Sequence, residues 1–423
     1  MMRLHDNFAT TTTTRSPSSA RYPARARKAA PGTLPLPGLT PQRTRLNGID
    51  LVRGLVMVIM CLDHARDFLA AGGEMNPRDV HNAGLFLTRW VTHFCAPVFV
   101  LLAGVSAYLY GSRGRTKGEL SRFLLTRGVW LIVLELTVVR VGWTFHPMPD
   151  FLVLQVIWAI GASMIVLAGL VHLPRWAVAT FALTLIVGHN LLDSVTASHF
   201  GAFGWAWNLL HQPDVLDLGG GVKMLALYPL IPWVGVMAAG YALGPMFSME
   251  AEQRGAKLAA MGCAVSLAFV SLRVTNLYGD PQPWQPQLGL LPTLLSLLNC
   301  EKYPPSLLYL TMTLGPALLL LSIADPLRGR LSGVLVTFGR VPMLYYVAHL
   351  FLLHAMAIVV WHITAGDTGW LFSGLPDLRP AFGGLPLGAV YAAWMLAVVT
   401  LYPLCRWFAA VKQRRSDWWL SYL

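Results

Sequence analysis

Charge is what this chain has least of. Only 12% of its 423 residues are Asp, Glu, Lys or Arg, against about 25% in an ordinary soluble domain. With 55% of residues hydrophobic, a water-facing surface over most of the fold is excluded, and the bilayer becomes the solvent to reason with. Cysteine is scarce as well: Cys61, Cys95, Cys263, Cys300 and Cys405 are scattered, odd in number and free of CxxC or Cys/His metal spacing. They read as small apolar residues, and no obligatory disulfide is predicted. No Gly-rich nucleotide loop, GxSxG elbow, HExxH or P-loop occurs, which excludes the recognisable soluble hydrolases and NTPases. Residues 1–45 are rich in Thr, Ser, Pro and Arg and lack an apolar h-region. They are expected to form a disordered basic cytoplasmic arm rather than a signal peptide.

What is present is a series of apolar runs, each long enough to cross a hydrocarbon core about 30 Å thick. Ten spans are predicted, over residues 51–69, 90–110, 123–143, 151–171, 176–192, 224–243, 258–274, 306–323, 342–361 and 387–408. The expected fold is all-α and polytopic: a membrane domain over residues 46–423 with both termini cytoplasmic. The placement of Lys and Arg supports an even count, because positive charge is retained inside. Alternate connections hold Arg113, Arg115, Lys117 and Arg122, then Arg175, then Arg254 and Lys257, then Arg328, Arg330 and Arg340, with Arg406, Lys412, Arg414 and Arg415 in the tail. The intervening, outer connections are longer and poorer, with Arg78, Arg89, Lys302 and Arg379. The net charge of +12 is therefore a topological signal, and no nucleic-acid partner is implied. The outer segments 193–221, 276–305 and 363–386 are full of Trp, Pro, Gly and Asn and are expected to fold over the outer mouth.

Ionisable groups inside a bilayer are costly, so each is a functional candidate, with helix-to-helix bonding as the competing explanation. The first span carries Asp50, Arg53, Asp63, His64, Arg66 and Asp67. Eleven residues set His64 roughly 16 Å along the helix from Arg53 and nearly on the same face. His64 can serve as a general base, a metal ligand, a haem ligand or a structural hydrogen-bonding residue. Asp63 points elsewhere, whereas Asp67, at i+3, is placed to face His64 and fix its tautomer. His93, His146, His189, His199, His349 and His354 gather towards the same outer side; singly, each reads as a satisfied polar residue. The ninth span opens GRVPMLYYVAH from Gly339, with Tyr345 and Tyr346 one turn below His349, either bonding a buried partner or forming an aromatic belt. Glu135, Arg140 and Arg273 also fall in apolar surroundings, and with Asp63 and Asp67 they allow internal charge pairing.

Residues 45–67, RLNGIDLVRGLVMVIMCLDHARD, followed by THFCAPVFVLLAG over 92–104, resemble the opening of a bacterial family similar to the heparan-alpha-glucosaminide N-acetyltransferase catalytic domain. The resemblance continues through YPLIPWVGVMAAGYALG (228–244), LRVTNLYGDPQPW (272–284) and GRVPMLYYVAHLFLLH (339–354), covering nearly all of the chain after the arm. The wider membrane acyltransferases share about ten spans and an arginine separated by ten residues from a histidine in the first, a spacing that Arg53 and His64 match. The resemblance implies transfer of an acyl group, usually acetyl from cytoplasmic acetyl-CoA, to a hydroxyl or amine of a sugar or glycan on the far side. It puts His64, with His93, Asp63 and Asp67, on the catalytic side and Arg53, Arg340 and Tyr345 on the donor side. In the eukaryotic heparan enzymes the active histidine lies in the loop after the first span, where His81 and His93 are the loose counterparts, so the base is open among His64, His93 and His81. No metal is expected. The expected partners are the bilayer, acyl-CoA and the acceptor, in a bacterial cytoplasmic membrane, with a homodimer left open.

Two other readings compete. A transporter or lipid carrier would use the same polar residues as a substrate path and proton relay, although no internal repeat supports it. A two-haem cytochrome would use His64, His93 and His349 as axial ligands.

Overall fold

In the computed structural model, residues 47–71, 78–373, 379–415 and 417–421 are described; the arm expected over residues 1–45 lies outside them. Helices α1 (Asn47–Leu69), α2 (Ala83–Thr92), α3 (Cys95–Gly111), α4 (Lys117–Leu134) and α5 (Arg140–Thr144) come first. Strand β1 (Phe151–Leu154) precedes α6 (Val156–Leu170), α7 (Arg175–Gly188) and α8 (Gly204–Leu210), and a hairpin of β2 (Val215–Gly219) and β3 (Val222–Ala226) follows. The order closes with α9 (Leu230–Leu243), α10 (Ala251–Thr275), α11 (Leu290–Leu298), α12 (Leu307–Ala324), α13 (Arg330–Arg340), α14 (Pro342–Ala365) and α15 (Leu387–Arg414).

Among the described residues, seven helical segments are long and apolar enough to cross a membrane: Ala83–Gly111, Arg175–Leu192, Leu230–Ser248, Ala251–Thr275, Leu307–Ala324, Pro342–Ala365 and Leu387–Arg414. The three other predicted spans are helical too, each with a reason for falling short. Helix α1 carries Asp50, Arg53, Asp63, Arg66 and Asp67; α6 has only 15 residues; α4 carries Lys117, Glu119, Arg122 and Arg127, and a π-helical turn, Glu135–Val139, separates it from α5.

Two predicted spans begin later than expected. Residues 151–154 and 224–226, expected at the starts of helices, are strand instead: β1 pairs in parallel with β3, and β2 lies antiparallel on its other side. Their backbone groups are satisfied across a ladder, and the turn Gly219-Gly220-Gly221, with φ of 81°, 63° and 83°, reverses the chain in a conformation that favours glycine. The second predicted span is likewise interrupted, at His93 and Phe94, between α2 and α3.

Helices meet closely where small residues face each other. A Cβ on Gly54 would overlap the Leu335 carbonyl oxygen, and one on Gly339 would overlap that of Asp50. Helices α1 and α13 therefore cross backbone to backbone, the close approach through which apolar helices gain van der Waals contact. Gly104 and Gly240 do the same for α3 and α9.

The segment between α10 and α12 is folded around one buried cation. The Arg273 guanidinium donates to the carbonyls of Leu297 (2.9 Å), Gln282 (2.8 Å), Asn299 (2.7 Å) and Ser296 (3.2 Å). Asp280, 3.8 Å from Arg273, accepts from the Ser306 hydroxyl and the Glu301 and Gln282 amides. Burial pushes its carboxyl above the ordinary range, with these bonds and Arg273 acting against the shift. Replacing Arg273 by Leu strands four carbonyls and leaves Asp280 uncompensated, an expected loss of about 3 kcal/mol. A lowered thermal midpoint in detergent would register it; an unchanged midpoint would show that the loop is held by other means.

Candidate functional site

The bundle has two ends. At one, which we call the arm end, the first turn of α1 meets α10, α12 and α13: Gly48 N–H donates to Asp325, which is also bound by Arg254 at 2.5 Å. At the other, the sheet end, Ala71 N–H donates to the Leu385 carbonyl and the Trp361 indole donates to Phe68 C=O.

His64 of α1 lies towards the sheet end, and its Nδ1 is 2.7 Å from Nε2 of His349 on α14. His349 Nδ1 is 2.9 Å from the Tyr345 carbonyl oxygen one turn earlier. A carbonyl only accepts, so His349 Nδ1 carries a hydrogen; in the neutral ring Nε2 then holds a lone pair and must accept from His64 Nδ1–H. Neutral His64 is left with its lone pair on Nε2. The chain from the Tyr345 carbonyl through His349 to His64 thus selects the tautomer that a general base requires, the role a carboxylate fills for histidine elsewhere.

Aromatic rings hold this pair in place. Trp143 meets His64 edge-on with centroids 4.9 Å apart, Tyr345 stacks under His349 at 5.3 Å, and Tyr346 stands edge-on to both imidazoles. Trp143 and Phe68, stacked at 4.9 Å, also line a cavity of about 320 Å³ whose other walls include Asp67, Glu135, Arg140, Trp370 and Arg379. Flat aromatic faces with carboxylate and guanidinium groups at their rim suit a hydroxylated ring. The π-helical turn is what brings Glu135 here: its carboxylate accepts from the Trp158 amide at 3.1 Å, supplying the N-terminal cap that α6 otherwise lacks. Arg140 binds the carbonyls of His146, Pro147 and Met148 and closes the turn after α5.

The other sequence candidates fall into separate groups. Asp67 does not face His64. It accepts from Arg66 at 2.7 Å, and its side chain is 42% exposed; the guanidinium one residue away outcompetes an imidazole at i+3, and the expected orienting role passes to His349. Asp63 points away from His64, as expected, towards Arg66 (2.8 Å), the Thr92 hydroxyl (2.9 Å) and Lys302 (3.8 Å). His93 is buried beside Tyr309, and His81 lies on the exposed loop before α2.

On the donor side, Arg53 and Arg340 come together around Asp50 at the arm end. Arg53 is 3.1 Å from Asp50 and also donates to the Gly339 carbonyl and the Ser106 hydroxyl, while Arg340 Nε is 3.8 Å from Asp50. Tyr345 is not with them; it is wholly buried beneath His349.

Of the remaining histidines, His354 Nδ1 is 3.1 Å from the Gly142 carbonyl, and both nitrogens of His189 face backbone carbonyls. His146 approaches the Met148 carbonyl and His199 bonds Thr196. The His64 and His349 nitrogens touch each other, whereas two axial ligands of one iron stand about 4 Å apart across it, so this pair is not arranged to hold a haem. Among the described residues no group of three or more His, Cys, Asp or Glu gathers as a metal site.

His349, Trp143 and Phe68 were missed as site residues. The one sequence signal for His349 was its membership of the histidines clustered on the outer side, and nothing in spacing names the partner of a residue on a helix so distant in sequence.

No curated protein matches the chain. A family model described as heparan-alpha-glucosaminide N-acetyltransferase, catalytic, matches residues 45–277, which includes α1 with His64 and stops short of α14. This match spans more than half of the chain, and the protein belongs to the heparan-alpha-glucosaminide N-acetyltransferase catalytic-domain family.

Proposed function

We propose that the protein is an integral membrane acyltransferase of ten spans with both termini cytoplasmic. It moves an acetyl group from cytoplasmic acetyl-CoA to a hydroxyl or amine of an extracytoplasmic sugar or glycan. The observation that carries this reading is the tautomer chain ending in the free lone pair of His64 Nε2. A base of that kind takes the acceptor proton as the acceptor oxygen or nitrogen bonds the acyl carbon; the thioester C–S bond breaks, and the proton passes from His64 to the departing thiolate. The cavity walled by Phe68 and Trp143 is the proposed acceptor pocket.

Arg340 is the donor-side residue best suited to a coenzyme phosphate, since its buried Nε has no hydrogen bond among the described residues. Arg53, bound to Asp50, Ser106 and Gly339, supports it by fixing the junction of α1, α3 and α13. Residence in a bacterial cytoplasmic membrane follows from the same direction of transfer. A homodimer is not required, because these groups come from one chain.

The test is transfer of label from acetyl-CoA to carbohydrate by the purified protein in sealed vesicles, paired with a comparison of extracytoplasmic glycans from cells with and without it. Label appearing in glycan only with donor on the arm-end side supports the reading. Movement of an unmodified sugar or lipid without acetylation would overturn it in favour of a carrier.

A further inference from the structure

Among the described residues, cations outnumber the carboxylates they pair with where α1 meets α2 near the sheet end. Among the described residues, Asp67 is engaged there by Arg66, Asp63 by Arg66 and Lys302, and Glu301 by Arg78 at 2.6 Å. Arg89 is left over. It is 8% exposed, interacts electrostatically with Arg78, Tyr303, Arg66 and Asp63, and its guanidinium makes no hydrogen bond to any described residue. Two further groups beside it are unsatisfied. His93, one turn on from Arg89 and 2% exposed, has both ring nitrogens without a partner, and Nη1 of Arg66 is likewise buried and unbonded among the described residues. A largely buried guanidinium without a carboxylate in contact is costly, and the orphaned nitrogens of His93 and Arg66 add to that cost. Thr92, between Arg89 and His93 in sequence, bonds Asp63, so this turn of α2 is pinned against α1 one residue from His64.

We propose that this corner binds one singly charged oxyanion carried by the acceptor, received by the Arg89 fork with His93 and Arg66 Nη1 as further donors. A single negative charge matches Arg89, the guanidinium of this corner that has no ion pair among the described residues. The chemistry is that of a sugar carboxylate or a phosphodiester. Arg66 joins the corner to the cavity, because the same Nη2 that binds Asp63 also binds Asp67 on the cavity wall. An acceptor anchored here would lie alongside His64. That the ligand is an acceptor rests on the acyltransferase reading; that the corner takes an anion does not.

The test measures the thermal midpoint of the full-length protein in detergent, without acetyl-CoA, in the presence of glucuronate, dimethyl phosphate or neutral glucose. Glucuronate near saturation is expected to raise the midpoint by about 2 °C or more, and glucose to leave it unchanged. In Arg89→Gln the shift disappears while the ligand-free midpoint holds or rises, because an unpaired buried charge has been removed; a merely structural arginine would lower it. A shift with dimethyl phosphate alone supports the site and assigns it to a phosphodiester. Equal effects of glucuronate and glucose, no effect of either anion, or an undiminished shift in Arg89→Gln would overturn the proposal. Repeating the titration in His64→Ala separates the two ideas: an intact anion shift in a protein whose wild type transfers no acetyl group sinks the acyltransferase reading alone.

Discussion

His64→Ala is expected to lower acetyl transfer by about 10²- to 10⁴-fold, the range that a positioned general base supplies. The protein should remain inserted and folded, because the His64 side chain bonds one partner, His349, and the surrounding rings of Phe68, Trp143 and Tyr346 pack on one another as well as on the imidazole. The loss should fall on kcat, with the KM for acetyl-CoA little changed, since Arg53 and Arg340 lie about 16 Å or more along α1 towards the other end. Turnover of labelled acetyl-CoA in reconstituted vesicles measures this. The comparison that decides the assignment is with His81→Ala and His93→Ala. Transfer lost in either of those and retained in His64→Ala would move the base to the loop or to α2, where the resemblance to the heparan enzymes also pointed.

Periodicity and charge made the helices legible, because an apolar run and its flanking arginines are local properties of the chain. Local reasoning failed where a segment had a choice of partner. The sequences FLVL and VKMLA are as apolar as a helix start, and only their pairing with each other turns them into strands. The same limit applies to the site. The spacing of Arg53 and His64 is visible in one helix, and it separates the two residues along α1. The choice between Asp67 and His349 as the group that orients His64 depends on which competitor is nearer: Arg66 captures Asp67 from the adjacent position, and α14 delivers His349 from the far end of the chain. Glu135 takes the helix-to-helix bonding that the sequence left open beside a functional role. A carboxylate in an apolar run suggests chemistry, and the structure gives it the backbone amides of α6 to cap.

His349→Phe tests the orienting bond itself. Phenylalanine keeps the ring that packs over Tyr345 and beside Tyr346, so the aromatic floor survives, but it removes the acceptor for His64 Nδ1–H. That donor is then buried without a partner, which costs about 1–3 kcal/mol. The ring escapes the cost by moving its hydrogen to Nε2 or by rotating, and either change takes the lone pair away from the acceptor. A fall in kcat of about 10²-fold or more is expected, approaching that of His64→Ala. His349→Gln provides the control, because its side-chain oxygen can accept from His64 while its amide donates to the Tyr345 carbonyl. Partial recovery of kcat in Gln over Phe, at equal thermal midpoint and equal KM for acetyl-CoA, would identify His349 as a positioning residue. Equal losses in the two variants would show that His349 contributes only packing. The double variant His64→Ala/His349→Phe should then be no slower than His64→Ala alone, because once the base is gone its tautomer has nothing left to control.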